Sequence, residues 1–236
     1  MAADDLPGPV VTFLNVIGVP WPYLNEDQVR QFASMVREFG QAVDQTHQDA
    51  TASIKNIAVA YQGAATRQLS SGWSQLSAAH VEEIVDGCRV LADALEVGAD
   101  FVVAQKAEAL IELLAMAATF AADQAAAVAT FGLAEAAVPL IIEAGKKLLE
   151  ALKQQIIQYI VGEVIEAAAK PLFAKVEQAL SGLDWSQAAG GESGLGSGFA
   201  LDPATVAAHT AVLKSHASTM RGHAEKLQAG LGGLSF

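Results

Sequence analysis

Three histidines recur at a fixed interval near the C-terminal end of the sequence, at His209, His216 and His223. Apolar residues repeat at the same seven-residue interval beside them: Val206, Leu213, Met220 and Leu227. Imidazoles bind metal ions and titrate near neutral pH, so the row suggests a metal ladder or a pH-responsive packing edge. The third alternative is a plain flank of an apolar stripe beside an interface. Seven helical residues rise about 10 Å, which is too far for two of these rings to share one ion. We therefore predict no metal site.

The remaining histidines and the one cysteine have structural interpretations. His80 lies at helical spacing from Trp73 and Ile84 and is predicted to be a hydrogen-bonded core histidine. His47 has polar neighbours on both sides and is predicted at the surface. Cys88 is the only cysteine, so no internal disulfide can form, and we predict that it is buried as a small hydrophobic residue.

A tyrosine and a glutamate stand four residues apart in the segment YIVGE, at Tyr159 and Glu163. On an α-helix this spacing places both side chains on one face. The ordinary interpretation is a tyrosine at the edge of the core beside a solvated acid. The alternative, a recognition element, depends on the family resemblance given below.

Sequence patterns typical of catalysis are missing. The chain has no GxSxG nucleophile elbow, no Walker loop, no HExxH and no CxxC. The Gly-rich segment GGESGLGSG lacks the preceding strand that a phosphate-binding loop needs. Carboxylates are spread along helix faces, as on solvated helices. We predict a non-enzymatic chain without a cofactor.

The composition favours closely packed helices and excludes nucleic acid as a partner. The net charge is −12, and such a surface repels nucleic acid. Hydrophobic residues make up 52% of the chain but aromatics only 6%. Alanine, the best helix former, supplies much of the difference. The few large rings should therefore mark the places where helices meet most tightly.

Helix signals are strong in the first part of the chain. A short apolar helix fits Val10 to Ile17, bounded by prolines and a glycine. Asn25 is a helix N-cap followed by Glu26 and Asp27 in the first turn. The helix that begins there is predicted to run to about Ala60. Its apolar stripe consists of Val29, Phe32, Val36, Phe39, Val43, Ala50, Ile54, Ile57 and Tyr61.

A second stripe begins directly after Gly63. Its members are Leu69, Trp73, Leu76, His80, Ile84, Leu91 and Leu95. Two long amphipathic helices joined by a few residues around a glycine form an antiparallel hairpin. Gly63 would permit a close approach or a positive φ. Tyr61 and Trp73 flank this corner and are predicted to wedge between the helices.

The rest of the chain is also predicted to be helical. Helices are expected at 98–131, Pro139 to Lys170, 172–183 and Pro203 to about Ala229, with Asp202 as the last N-cap. The fold class is all-α, an elongated helical bundle built on the hairpin. The predicted domains are a bundle at 1–185, a Gly/Ser-rich linker at 186–198 and a C-terminal helical segment at 199–236. Because a lone helix after a linker cannot bury its own stripe, it needs the bundle, a partner or further chain.

One apolar segment raises the alternative of a membrane-active protein. Leu113 to Ala134 holds a single charge, Asp123, and has the length of a bilayer span. A helical hairpin or pore would combine it with the segment Pro139 to Gly162, and Asp123 and Glu143 would face its aqueous interior. Alanine contributes weakly to insertion and glutamates flank the segment, so a buried bundle helix is favoured. The N-terminus lacks the basic region of a secretory signal peptide.

The corner YQGAATRQLSSGW resembles the WxG corner of the type VII secretion substrates of actinobacteria. In that family an aromatic residue, any residue and a glycine join two long helices. Tyr61 and Gly63 occupy the motif positions, with tyrosine in place of the first tryptophan. Ala64 and Ala65 take the positions of the small residues, and Trp73 that of the second tryptophan.

A second segment, GVPWPYLNEDQVRQFASMVREFGQAV, resembles the larger WxG-like N-terminal domains of actinobacterial toxins, including the channel-forming necrotizing toxins. A G-x-P-W-P corner precedes an acidic helix start in those domains. Gly18, Pro20, Trp21 and Pro22 match it. The two matches together cover about residues 6–135.

The resemblance implies a helical, non-catalytic export module that leads a secreted effector through the type VII machinery. That machinery recognises a helical bundle and a Y-x-x-x-D/E element, whose spacing Tyr159 and Glu163 fit. The implied partners are a small WxG-type helical protein, a second copy in a homodimer, and the secretion ATPase. The implied destination is the cell envelope or the exterior, reached without a cleaved signal peptide.

Overall fold

The chain is all-α in the computed structural model, which describes residues 6–76, 81–129, 138–181 and 203–234. The elements in chain order are α1 Gly8–Ile17, α2 Glu26–Ala60, α3 Ala64–Leu76, α4 Glu82–Ala129, α5 Val138–Tyr159, a π-helix Ile160–Ala169, α6 Lys170–Ser181 and α7 Pro203–Gly232. No β-strand occurs within the described residues. The predicted fold class is therefore confirmed.

The helix signals in the first part of the chain are confirmed closely. The first helix begins at Gly8, two residues before its predicted start, and ends at Ile17 as predicted. The side-chain oxygen of Asn25 accepts a hydrogen bond from the backbone N–H of Gln28 at 3.2 Å, so Asn25 caps α2. Helix α2 spans the predicted residues, and the centre of its stripe is buried: Val36, Val43, Ala50, Ile54 and Ile57.

The chain divides into two compact units. The first unit combines residues 1–31 with residues 94–165 and contains α1, α5 and most of α4. The second unit combines residues 32–93 with residues 166–234 and contains most of α2 with α3, α6 and α7.

The core of the first unit forms where α1 packs against α5 and against the middle of α4. Its most deeply buried large side chains are Val10, Phe13, Val102, Leu113 and Leu149. The ring of Phe120 meets that of Phe13 at a centroid distance of 5.6 Å. Leu113, at the start of the apolar segment 113–129, is therefore buried in a protein core.

A buried ion pair ties the start of α2 to α4 within the first unit. Lys106 Nζ lies 2.8 Å from Glu26 Oε1, with the two side chains 1% and 6% exposed. The same ammonium donates a hydrogen bond to the carbonyl of Leu24 at 2.9 Å. Burial alone would raise the pKa of the Glu26 carboxyl, but the hydrogen bond from Lys106 lowers it below its ordinary value. Nothing in the sequence pattern predicted this pair.

The predicted helix end near Pro171 is wrong. The chain stays helical from Val138 to Ser181, but it widens into a π-helix at Ile160–Ala169. Helix α6 then begins at Lys170, so Pro171 lies in its first turn. Pro171 follows directly after the π-helix, where the regular α-helical ladder that a proline interrupts is already replaced by the wider π pattern.

Several other predictions concern the later part of the chain. The last helix begins at Pro203 as predicted and continues to Gly232, beyond the predicted end. The helix boundary at Gly132, the linker at 186–198, Asp202 and His80 lie outside the described residues. The domain boundaries remain predictions.

Within the part of the chain that the structure describes, no helix is long and apolar enough to cross a membrane.

Candidate functional site

The corner between α2 and α3 is a short break closed by backbone and side-chain hydrogen bonds. Helix α2 ends at Ala60 and α3 begins at Ala64. The N–H of Tyr61 donates to the carbonyl of Ile57 at 2.8 Å, which completes the last turn of α2. The hydroxyl of Thr66, which is buried, donates to the carbonyl of Tyr61 at 2.7 Å. Thr66 thus fixes the corner from α3, and the sequence analysis did not identify it.

Gly63 is required by the ring of Tyr61 and not by a left-handed backbone. Among the described glycines only Gly18 has a positive φ, so the alternative of a positive φ at Gly63 is wrong. A Cβ added at Gly63 would lie 3.1 Å from Tyr61 Oη and 3.2 Å from Tyr61 Cζ. The phenol ring folds over the glycine. A side chain at position 63 would therefore require the phenol ring to move.

Trp73 reaches across the hairpin to α2. Its indole N–H donates to the hydroxyl of Thr51 at 2.9 Å, and the two residues are 22 positions apart along the chain. They lie at nearly equal distances from the corner, as they must if α3 runs antiparallel to α2. The hairpin prediction is therefore confirmed. Tyr61 and Trp73 are both half-buried. That the two rings wedge between the helices stays a prediction.

His47 stacks on the indole of Trp73, with ring centroids 5.1 Å apart and planes 12° apart. The prediction that His47 lies at the surface is wrong, since its residue exposure is 8%. Its polar neighbours along the chain obscured its register with Val43, Ala50 and Ile54, which are all buried. Steps of four, three and four place these residues on one helix face. That periodicity would have identified His47.

The histidine row of α7 lies against the hairpin within the second unit. His216 meets Trp73 edge to face, with centroids 5.4 Å apart and planes 76° apart. His223 Nε2 lies 2.8 Å from Thr46 Oγ1, at hydrogen-bond distance. His209 is half-buried. The described residues contain no group of three or more histidine, cysteine or acidic side chains that could hold a metal ion.

The two imidazoles beside Trp73 are disfavoured in their charged form. Burial lowers the pKa of His47, and the neighbouring charges of Asp44 and Glu82 oppose that shift without reversing it. Burial also lowers the pKa of His216, and repulsion from His47 lowers it further. Both rings are therefore held in the neutral state at neutral pH.

The G-x-P-W-P segment caps α1 and anchors the core of the first unit. Gly18 ends α1 with φ of 70° and donates its N–H to the carbonyl of Leu14 at 3.0 Å. Trp21 is 3% exposed and belongs to the same core cluster as Phe13. Pro20 is exposed and Pro22 is half-buried on either side of it. The segment thus reverses the chain and inserts the tryptophan between them into the core.

Tyr159 and Glu163 lie on either side of the junction between α5 and the π-helix. The ring of Tyr159 stacks on Phe101 of α4, with centroids 4.0 Å apart and planes 12° apart. Glu163 is exposed in the first turn of the π-helix. The same four-residue spacing also occurs at Tyr23 and Asp27, which the sequence analysis missed. Tyr23 is 74% exposed, just before α2 begins.

Two long helices joined at an aromatic-x-glycine corner define an α-helical domain of the WxG type. The chain belongs to the WXG100-like domain family, whose profile matches residues 3–146, more than half of the 236 residues. The matched range contains both corner segments and ends before Tyr159. No curated protein and no solved structure matches the chain significantly. The resemblance to WxG-type proteins is thereby confirmed, and the chain carries a helical module of the kind related to type VII secretion.

Proposed function

We propose that this chain is the export module of an actinobacterial secreted effector or toxin, recognised as a folded helical body by the type VII secretion machinery. The observation that carries the proposal is the family match over residues 3–146, which contains the hairpin corner at Tyr61 and Gly63. The role is one of targeting and structure and needs no catalytic group. The product leaves the cytoplasm without cleavage of a signal peptide and reaches the envelope or the exterior.

The rigidity of the corner supports recognition in the folded state. Thr66 holds the carbonyl of Tyr61, and Trp73 holds Thr51, so hydrogen bonds cross the hairpin at two levels. A receptor that binds a preformed helical surface does not pay the entropy of ordering it. A hairpin fixed in this way suits a machine that selects its substrates by helical shape.

Tyr159 and Glu163 are the export signal in this proposal. Phe101 fixes the ring of Tyr159 by stacking, and the carboxylate of Glu163 stays exposed a few residues later. A receptor can then contact the tyrosine edge and the acid together. Tyr23 and Asp27 repeat the spacing at the other end of the chain and provide an internal comparison.

The partner in this proposal is a small WxG-type helical protein or a second copy of the chain, besides the secretion ATPase. Support comes from apolar side chains that remain exposed beside the signal. Ile157, Val161 and Ile165 are 44%, 43% and 40% exposed and stand four residues apart. A helix of a partner laid along these residues would cover apolar surface and leave Glu163 accessible.

The test is secretion of the tagged full chain by an actinobacterial strain with an intact type VII ATPase and by its deletion strain. We expect the chain in the culture medium of the first strain only. Tyr159→Ala should abolish secretion. Tyr159→Phe retains the stacking on Phe101, so its secretion shows whether the machinery recognises the hydroxyl. Tyr23→Ala is the matched control and should leave secretion unchanged.

Equal secretion by both strains would overturn the export role. Secretion that survives Tyr159→Ala but is lost in Tyr23→Ala would move the signal to the start of α2. Cellular levels and far-UV circular dichroism of each variant separate a lost signal from a lost fold.

A further inference from the structure

Helix α7 contacts the rest of the second unit along one narrow face, which we call the seam. None of its residues is buried. Its half-buried residues follow steps of three and four along one face: Val206, His209, Leu213, His216, Met220, His223 and Leu227. A helix that packs along one face normally has two columns of apolar side chains there. In α7 histidines occupy one of these columns. The attachment of α7 depends on the state of those imidazoles.

The seam includes the contact of the His216 ring with Trp73. His216 lies at one side of the indole and His47 stacks at another, so three rings from α2, α3 and α7 are packed together. The Nε2 atom of His216 is buried and has no hydrogen-bond partner among the described residues. A proton added at Nε2 would place a charge where no acceptor compensates for it.

The charged groups around the three rings make His216 the more sensitive of the two imidazoles. His47 faces the acids Asp44, from its own helix, and Glu82, from the first turn of α4. These acids favour a positive charge on His47. The charge that acts on His216 is that of His47 itself, which is of the same sign when both are protonated. Among the described residues, acids therefore favour a positive charge on His47, whereas the neighbouring charge that acts on His216 disfavours it.

The polar contacts that α7 makes elsewhere in this region do not substitute for the ring contact between His216 and Trp73. Lys226 Nζ lies 3.5 Å from Glu38 Oε2, and both side chains are largely exposed, so the pair contributes little. His223 bonds to the hydroxyl of Thr46, which carries no charge.

We propose that the packed rings of His47, Trp73 and His216 are a pH-sensitive clasp that holds α7 on the α2–α3 hairpin at neutral pH and releases it in mild acid. The released helix exposes the apolar column of Leu213, Met220 and Leu227. The clasp is a property of the fold and does not depend on the export role.

The direction follows from proton linkage. In the held state the pKa values of His47 and His216 are lowered, chiefly by burial, whereas in the released state they return to the ordinary value. The released state therefore binds more protons. The clasp is at full strength above the ordinary histidine pKa and weakens as the pH falls below it. For one histidine the ratio of released to held helix rises by at most about tenfold from pH 7.5 to pH 5.5.

Hydrogen exchange of the full chain measures that ratio directly. Amides of α7 are compared with those of α5 at about pH 7.5 and about pH 5.5, after correction for the intrinsic exchange rates. In the wild type we expect exchange of α7 to accelerate relative to α5, by up to about tenfold for each histidine whose pKa is lowered. His216→Leu and His216→Gln are neutral at both pH values and should reduce that acceleration. His209→Leu removes a histidine of the same row about 10 Å away and should retain it.

Two results would overturn the clasp. One is exchange of α7 that does not accelerate in acid relative to α5. The other is an acceleration that both neutral replacements of His216 leave undiminished. Using two replacements keeps the test valid if one of them alters the packing, and circular dichroism at neutral pH identifies such a variant.

Discussion

The indole N–H of Trp73 donates to the hydroxyl of Thr51, which lies on the facing helix at nearly the same distance from the corner. This bond fixes the register of α3 on α2. Because the ring also stacks on His47 and meets His216 edge to face, one tryptophan joins three helices of the second unit. The second aromatic residue of the motif thus sets the packing of the hairpin.

A bulky residue at Gly63 should destabilise the corner. The side chain in Gly63→Val would meet the phenol of Tyr61, which lies 3.1 Å from the position of a Cβ. We expect a loss of about 1–3 kcal/mol in the free energy of unfolding, measured by urea denaturation. Gly72→Ala is the matched control, because it lies within α3 and a Cβ there meets nothing within 4 Å. It should stabilise by about 0.5–1 kcal/mol.

The clash is specific to the ring. In a Tyr61→Ala background, Gly63→Val should therefore cost less than in the wild type. A cost that is equal in both backgrounds would show that the backbone, and not the phenol, requires the glycine.

Thr66→Val tests the hydrogen bond that closes the corner. The substitution retains the shape of the side chain and leaves the carbonyl of Tyr61 without the hydroxyl donor at 2.7 Å. We expect a loss of about 1–3 kcal/mol, because the partner is partly buried. Ser74→Ala removes a comparable bond to the carbonyl of Ser70, but at an exposed site, and should change stability by less than about 0.5 kcal/mol. Equal effects would contradict a special role of Thr66.

The ion pair of Lys106 and Glu26 should be costly to break on one side only. Lys106→Met leaves a buried carboxylate without its ammonium, and we expect a loss of about 3–5 kcal/mol. The double variant Lys106→Met with Glu26→Gln removes both charges and should recover most of that loss. Chemical denaturation of the wild type, Lys106→Met and the double variant measures their free energies of unfolding. A double variant as unstable as Lys106→Met would mean that packing, and not charge, determines the loss.

The same pair predicts a dependence of stability on acid. The folded-state pKa of Glu26 is lowered, so its contribution is present above the ordinary glutamate pKa and is lost as the pH falls through the lower folded value. Glu26→Gln should flatten that part of the curve of unfolding free energy against pH. Curves that stay parallel below the ordinary value would contradict the assignment.

Cys88 should resist thiol reagents while the chain is folded. The thiol is buried at 3% exposure, and burial raises its pKa to about 11. The reactive thiolate is therefore scarce and shielded. Labelling by a disulfide reagent should be slow in buffer and fast in urea, with a rate that follows the unfolded fraction. Rapid labelling in buffer would place the thiol at the surface.

Much of the hairpin follows from local signals in the sequence. Asn25 caps α2 where the pattern placed the cap, and the stripe of α2 ends at the predicted corner. These features depend on neighbours within one or two turns. The role of Gly63 could not be predicted in this way, because the sequence allows either a close approach or a positive φ and only the structure distinguishes the two.

Features that depend on distant residues were not predictable from the local pattern. Lys106 is buried because Glu26, 80 positions earlier in the chain, neutralises it. The partner of His47 likewise needed the structure: the helical periodicity of α2 could indicate that His47 is buried, but not that its ring stacks on Trp73, 26 positions later. Pro171 continues a helix because it follows directly after the π-helix, where the regular α-helical ladder is already replaced. In each case the local signal alone is insufficient.

The most direct test of the export module is the secreted fraction of the full chain, with and without the type VII ATPase, for the wild type, Gly63→Val and Gly72→Ala. The account predicts ATPase-dependent secretion of the wild type and Gly72→Ala, and its loss in Gly63→Val, in which the corner is distorted. Secretion of the wild type that does not require the ATPase, or undiminished ATPase-dependent secretion of Gly63→Val despite its measured loss of stability, would contradict it.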